Sequence, residues 1–244
     1  MRKRSVLYII LSLFWCLGNT PYAAQSFTDP EILVSPVQSS NNIPRQNLET
    51  TLVDIKAVDS PAFHTENGKS GLGSEERYGQ GIIIDSTGII ATNRHIIENA
   101  QHIYVMLAGG KIFEATLLRN SNADLCLIKI NAPLPLRAVS LADSSEIQTG
   151  INVIAFANAG FNPQRILDGQ IIKVFKGKSS NSVELLEMNI PLKPGDSGGP
   201  VLNEEGSLLG LIMGKQLSDP SKSYAIASNK IQQEYFKYRN SILD

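Results

Sequence analysis

The chain has 244 residues, 42% of them apolar, with 22 Lys+Arg against 23 Asp+Glu. That length holds one large domain or two small ones around a sizeable core; the near-neutral balance excludes a general nucleic-acid binder, and 18% charged residues exclude a wholly disordered chain. Two cysteines, Cys16 and Cys126, exclude a disulfide scaffold and a cysteine-built zinc site, and His64, His95 and His102 leave few ways to build a metal centre.

Residues 1–24 read as a signal peptide: Arg2, Lys3 and Arg4 precede an apolar stretch from Val6 to Leu17 that is too short for a spanning helix. Cleavage after Ala23 or Ala24 fits best; the alternative is an uncleaved anchor. Phe14 and Trp15 are too bulky for lipidation at Cys16. Removing this segment takes away three basic residues and no acidic ones, which leaves 19 against 23 and a mildly acidic protein with Cys126 alone. Export would therefore bring no internal disulfide. Residues 25–49, rich in Ser, Pro, Asn and Gln, sustain no period and read as a linker, pro-segment or docked arm.

Short apolar runs separated by turns then begin. Leu52–Val58 alternates. The segment from Asp59 to Tyr78, with Gly68, Gly71, Gly73 and His64, reads as a surface loop; its glycines open no helix, so it is no phosphate cradle. Gly81–Ile84 and Gly88–Ala91 flank the turn at Asp85–Thr87. Ile103–Leu107 and Ile112–Leu118 flank Ala108–Lys111, a hairpin signal. Leu125–Ile130, Val153–Phe156, Gly169–Phe175, Val183–Ile190, Leu208–Met213 and Tyr224–Ala227 complete the expected strands. This pattern predicts an all-β barrel or sandwich. A terminal helix follows, with Ser228 and Asn229 as caps and Ile231, Tyr235 and Tyr238 along one face.

Three segments carry chemistry, in the order His, Asp, Ser. Ala91-Thr92-Asn93-Arg94-His95 ends a strand and enters a short turn. Ala123-Asp124-Leu125 places a carboxylate at the mouth of another. Pro194-Gly195-Asp196-Ser197-Gly198-Gly199-Pro200 is glycine-rich. A serine hydroxyl is a weak nucleophile and needs a base to take its proton. Histidine, with an ordinary pKa of about 6.5, suits that task. A carboxylate behind the ring fixes its tautomer and stabilises the imidazolium. The developing oxyanion needs backbone N–H donors, and a glycine at position 195 lets its own N–H converge with that of Ser197. Each residue alone has a plainer reading, but the conjunction favours catalysis by His95, Asp124 and Ser197.

These segments resemble the signatures of the trypsin-like serine proteases, within them the bacterial HtrA/Deg branch. The stretch from Gly79-Gln80-Gly81-Ile82 through Thr92-Asn93-Arg94-His95 is similar to that branch's first signature. Ala123–Ile130 is similar to its second, Pro194–Pro200 with Gly206-Ser207-Leu208-Leu209-Gly210 to its third, and Ala225–Asn229 to its closing strand and helix start. The resemblance covers residues 50–244 and implies a double six-stranded β-barrel with a C-terminal helix and the site between the barrels. It implies that His95 is the general base, Asp124 its orienting carboxylate and Ser197 the nucleophile. The N–H groups of Gly195 and Ser197 would form the oxyanion hole. It extends to no PDZ domain, so it does not imply peptide-triggered activation or cage assembly. Asp196 departs from the branch, which usually has Asn there. Digestive proteases have Asp, paired with a freed N-terminus, but no matching activation sequence is present, so the partner of Asp196 stays open.

Leu192, Ile212 and Met213 are expected near the specificity pocket, and no acidic residue stands there to hold Lys or Arg. Small or medium aliphatic side chains before the scissile bond are the expected preference. Cys126 reads as a buried inert thiol, His102 as a strand-edge residue, and Lys173, Lys176 and Lys178 as a solvated face. The leading function is an exported serine endopeptidase, periplasmic or secreted, acting on unfolded or flexible polypeptides. A low-turnover binding or chaperone-like module and an esterase-like acyl-transfer enzyme are the rivals. Polypeptide substrates are the implied partners, with no nucleic acid and no stable membrane insertion; the oligomeric state is open. No cofactor or metal is implied, because protein groups and water complete the chemistry.

Overall fold

The computed structural model describes residues 50–242 apart from 60–61, 67–68, 74, 134, 158–164, 178–182 and 216–217. The expected signal peptide (1–24) and arm (25–49) lie outside the described residues. Among the described residues fourteen strands form two closed antiparallel barrels and one small hairpin.

Barrel one contains β1 (Leu52–Asp59), β4 (Glu76–Asp85), β5 (Ile89–Asn93), β6 (Ala100–Leu107), β7 (Ile112–Asn120) and β8 (Leu125–Ile130), in the spatial order β1-β4-β5-β8-β7-β6. Barrel two contains β9 (Asn152–Ala157), β10 (Arg165–Lys176), β11 (Val183–Met188), β12 (Pro200–Leu202), β13 (Leu208–Lys215) and β14 (Ser223–Ala227), in the order β10-β11-β14-β13-β12-β9. The two six-stranded barrels are those expected. The three-residue β12 was not among the expected strands, and β4 and β10 begin earlier than their apolar runs.

The stretch after Asp59 is not a plain loop. It forms a separate hairpin of β2 (Ala62–Glu66) and β3 (Lys69–Gly73), with Ala62 opposite Gly73 and Glu66 opposite Lys69. Its glycines and charges conceal the alternation that normally betrays a strand. Glu76 already belongs to β4, pairing with Val58.

Three apolar clusters explain why some strands read as unbroken apolar runs. Along β8, Cys126, Ile128 and Ile130 point into barrel one with Ile55, Ile83 and Ile90. Leu125 and Leu127, on the opposite face, join Ile82, Ile89 and Ala91 in a cluster shared with Phe156, Leu202, Leu211 and Ile226 of barrel two. Successive side chains alternate between faces, and here both faces are dry. A third cluster, including Val153, Ile171, Leu186 and Val201, fills barrel two. The two barrels thus share a continuous apolar seam.

Two helices position the site: the four-residue α1 (Arg94–Ile97), where a turn was expected, and α2 (Ser228–Ser241) at the end of the chain. The expected caps of α2 do other work. Ser228 Oγ donates to Ala142 O at 2.7 Å. Asn229 Oδ1 accepts from Ser144 N at 2.9 Å, and its Nδ2 donates to Asp143 at 2.7 Å. These side chains fasten the start of α2 to the segment between the barrels instead of closing the helix end. Ile231 is buried in the shared cluster, with Tyr235 and Tyr238 packed against it, as their spacing predicted. Tyr235 also donates to Asp85, and Arg119 Nε donates to Glu234 at 2.5 Å, so α2 reaches from barrel two onto barrel one. Among the described residues no helix is long and apolar enough to cross a membrane.

Candidate active site

β5 delivers His95. All five of its residues are buried, and α1 starts directly after Asn93. Asn93 pairs with Leu125 of β8, which sets Asp124, the residue before that strand, beside the start of α1. Asp124 has φ 55°, a left-handed conformation that aspartate tolerates better than most residues. In that conformation its carbonyl accepts from Arg94 N at 3.1 Å and from Asn93 Nδ2 at 3.2 Å. Its carboxylate turns the other way and meets His95 twice. Oδ1 accepts from the His95 main-chain N–H at 2.9 Å, and Oδ2 lies 2.8 Å from Nδ1.

An ionised carboxylate can only accept, so the Nδ1 proton points at Asp124 and the lone pair of the neutral ring falls on Nε2. The Asp124 side chain is 12% exposed and that of His95 is 32% exposed. The carboxylate is therefore largely desolvated while the ring remains partly open to solvent.

The far side of α1 is held by Arg77. Its guanidinium grips Asp59 with two bonds of 2.6 and 2.7 Å, and Nε donates to Ile96 O at 3.1 Å. Nη2, one of the two nitrogens on Asp59, also donates to Glu98 O. Those carbonyls end a helix too short to satisfy them itself. Sequence reasoning missed this anchor, because nothing local ties position 77 to position 96.

Ser197 comes from barrel two and meets barrel one at β4. Its carbonyl accepts from Gln80 N of β4 at 2.8 Å, and Thr92 Oγ1 donates to Gln80 O at 2.7 Å. Gly198 N donates to Ile212 O at 2.9 Å, and Ile212 N donates to Gly199 O at 2.8 Å. The serine loop is thus clamped between β4 and β13. Gly79 marks the junction: a Cβ there would lie 2.4 Å from Ile96 Cδ1 and 3.2 Å from Ser197 O. The turn that carries His95 and the loop that carries Ser197 therefore share one neighbour. Ser197 Oγ lies 3.4 Å from Met213 O, a long contact for a hydroxyl donor.

Residues Lys193–Asp196 form a tight turn closed by Asp196 N donating to Lys193 O at 3.2 Å. Proline at its second position and Gly195 at its third, with φ 93°, make it type II. Among the described residues neither the Gly195 N–H nor the Ser197 N–H has an acceptor. Asp196 is fully buried; its Oδ2 accepts from Lys193 N at 2.7 Å and from Arg165 Nη2 at 2.5 Å. The partner left open by the sequence is therefore Arg165, the first residue of β10.

Of the expected pocket residues, Ile212 and Leu192 have their side chains in the barrel-two cluster, at 0% and 5% exposure. Met213 is partly buried and packs on the shared cluster. Cys126 is buried, and Thr92 O is 3.6 Å from its sulfur. Burial, helped by the charge of Asp124, pushes its thiol well above the usual range. His102 pairs with Glu114 at 2.8 Å and stacks on Tyr104, on the outer wall of barrel one. Lys173 lies over the Phe175 ring, and Lys178 lies outside the described residues.

Similarity to known proteins agrees with this architecture. The chain is 30% identical over 227 residues to the periplasmic serine endoprotease DegP of Salmonella typhimurium, covering 83% of this chain and 47% of that protein. It is 27% identical over 232 residues to the serine protease Do-like HtrB of Bacillus subtilis, covering 88% and 51%. The chain spans roughly half or less of the length of these relatives. Among solved structures, the HtrA-type protease AlgW with a decapeptide superposes with a TM-score of 0.67 at 18% identity, over 79% of this chain and 65% of that one. The serine endoprotease from Yersinia pestis gives 0.62 at 23% identity, over 79% and 64%. At such identities these two establish the fold alone. The family model for the trypsin-like peptidase domain matches residues 79–211, more than half of the chain, and the chain belongs to that family.

Proposed function

We propose that this protein is an exported serine endopeptidase that hydrolyses unfolded or flexible polypeptides through an acyl-enzyme. The observation that carries this reading is the paired contact of Asp124 with His95, on a ring whose next turn packs against the strand that also holds Ser197. In the proposed cycle Ser197 Oγ attacks the scissile carbonyl carbon and its proton passes to His95 Nε2. Asp124 stabilises the imidazolium. The N–H groups of Gly195 and Ser197 receive the oxyanion, each contributing roughly 3–4 kcal/mol to the lowered barrier. The imidazolium then protonates the leaving amine. Water, deprotonated by the same histidine, attacks the ester, and Ser197 recovers its proton as the acid departs.

Export rests on the basic and apolar start of the chain, and on relatives whose names place them in the periplasm. For specificity, Met213, whose carbonyl lies 3.4 Å from Ser197 Oγ, offers an apolar side chain beside the nucleophile, which suits small or medium aliphatic side chains. The test is hydrolysis of casein and of a peptide library by the purified protein beside a Ser197→Ala control. Activity that vanishes in the control supports the reading; cleavage that survives it, or dominant cleavage after arginine, overturns the mechanism or the specificity respectively.

A further inference from the structure

Asp196 takes no part in the proposed cycle, yet its side chain is only 1% exposed. A carboxylate in that position is costly unless something compensates its charge. Among the described residues Oδ1 has no hydrogen-bond partner, so the compensation passes through Oδ2. Two donors meet there: Lys193 N and Arg165 Nη2.

The first of these is structural in a specific sense. Lys193 N donates to the Asp196 side chain while Asp196 N donates to Lys193 O, so the two ends of the turn hold each other. The side chain of Asp196 is thus one of the two ties that set the turn, and Gly195 sits inside it with its left-handed φ. That tie requires the carboxylate to point inward. Arg165 is the cation that it meets there. Arginine keeps its charge at every working pH and can hold a carboxylate without being titrated.

We propose that Arg165 is a positioning residue: its guanidinium is a built-in counter-ion that holds Asp196 inward and keeps the Gly195 and Ser197 N–H groups set for the oxyanion. The site is then competent without a cation delivered by cleavage of the chain. This rests on the endopeptidase reading, and the experiment separates the two.

The full chain and its Arg165→Ala, Arg165→Lys, Asp196→Asn and Arg165→Ala/Asp196→Asn variants are compared for kcat and KM on a peptide anilide. Arg165→Ala should lower kcat roughly 100-fold, the scale of a lost oxyanion donor, with KM changed less than about threefold. Arg165→Lys should keep part of the rate, and millimolar guanidinium should restore part of it to Arg165→Ala. An amide at position 196 needs no counter-charge, so Arg165→Ala in the Asp196→Asn background should cost less than about threefold; losses that simply multiply overturn the proposal. So does a wild-type kcat in Arg165→Ala. Hydrogen exchange of residues 193–199 needs no turnover. It should quicken at least about tenfold in Arg165→Ala, with β8 and β13 unchanged; an unchanged turn overturns the proposal. If no form of the chain hydrolyses the substrate, the endopeptidase reading fails, and the exchange measurement alone decides the role of Arg165.

Discussion

Asp124 holds His95 by both ends of the residue: one carboxylate oxygen takes the main-chain N–H and the other faces Nδ1. The first contact fixes where the ring is rooted and the second which tautomer it adopts. Asp124→Asn keeps the size but offers an amide that satisfies both contacts only by changing the ring's protonation. We expect kcat to fall roughly 10^4-fold with little change in melting temperature. Steady-state kinetics beside a thermal melt checks this; a loss of activity that follows a loss of fold would contradict it.

Gly198 is irreplaceable for a reason of space. Its φ is 84°, and a Cβ would stand 1.8 Å from Gln80 O. Gln80 cannot retreat, because its N–H holds Ser197 and its carbonyl holds Thr92. Gly198→Ala should cost at least about 2 kcal/mol from backbone strain alone, lowering the melting temperature by several degrees, and should abolish hydrolysis. An alanine variant with native stability and rate would show that the loop is not clamped as described.

The order of the candidate residues, the hairpin at Ala108–Lys111 and the face of α2 were all legible in the sequence, because each is written in a local period or a short motif. What escaped was decided by pairing across the fold. Arg165 lies 31 positions from Asp196 and reaches it only because β10 opens beside the serine loop. Arg77 reaches α1 from β4, the strand beside the one that α1 follows. Ser228 and Asn229 have the chemistry of caps, yet neighbouring segments claim their side chains first. The β2–β3 hairpin escaped for the opposite reason, having too little apolar alternation to announce itself.

Acid should loosen the contact between α2 and barrel one. Burial pushes the Glu234 carboxyl up, but the hydrogen bonds from Lys237 and Arg119 outweigh it and hold it below its ordinary 4.5. In Asp85, burial is likewise outweighed by hydrogen bonds from Thr87 and Tyr235 and by the charge of Arg239. A carboxylate lowered in the folded state contributes its stability in full above the ordinary value and loses it as pH falls through the folded one. Melting temperature should therefore drop with acidification below about pH 4.5. Glu234→Gln should melt lower than wild type at neutral pH, with the gap closing in acid. A gap that stays constant with pH would remove the charge from the explanation.

Cys126 should be silent in the native protein. It is buried, and its thiol is pushed far above the range in which a thiolate forms at neutral pH. Iodoacetamide at mildly alkaline pH should leave it unmodified until denaturant is added, as read by mass spectrometry of the peptide that contains it. Rapid native labelling would mean that barrel one opens far more readily than its packing implies.

The reach of α2 back to barrel one has a consequence for the order of assembly. A chain emerging amino end first can close barrel one from residues 52–130 and then barrel two from 152–227. The clasp through Glu234 and Tyr235 forms only after both. Until those residues arrive, the two halves have the shared apolar cluster and the Gln80–Ser197 bond but lack this second brace, and His95 and Ser197 belong to different halves. Alignment of the two halves is therefore coupled to the arrival of α2. Chains cut before Ile231 should fold their barrels yet hydrolyse poorly, which circular dichroism and an activity assay on the same sample would reveal.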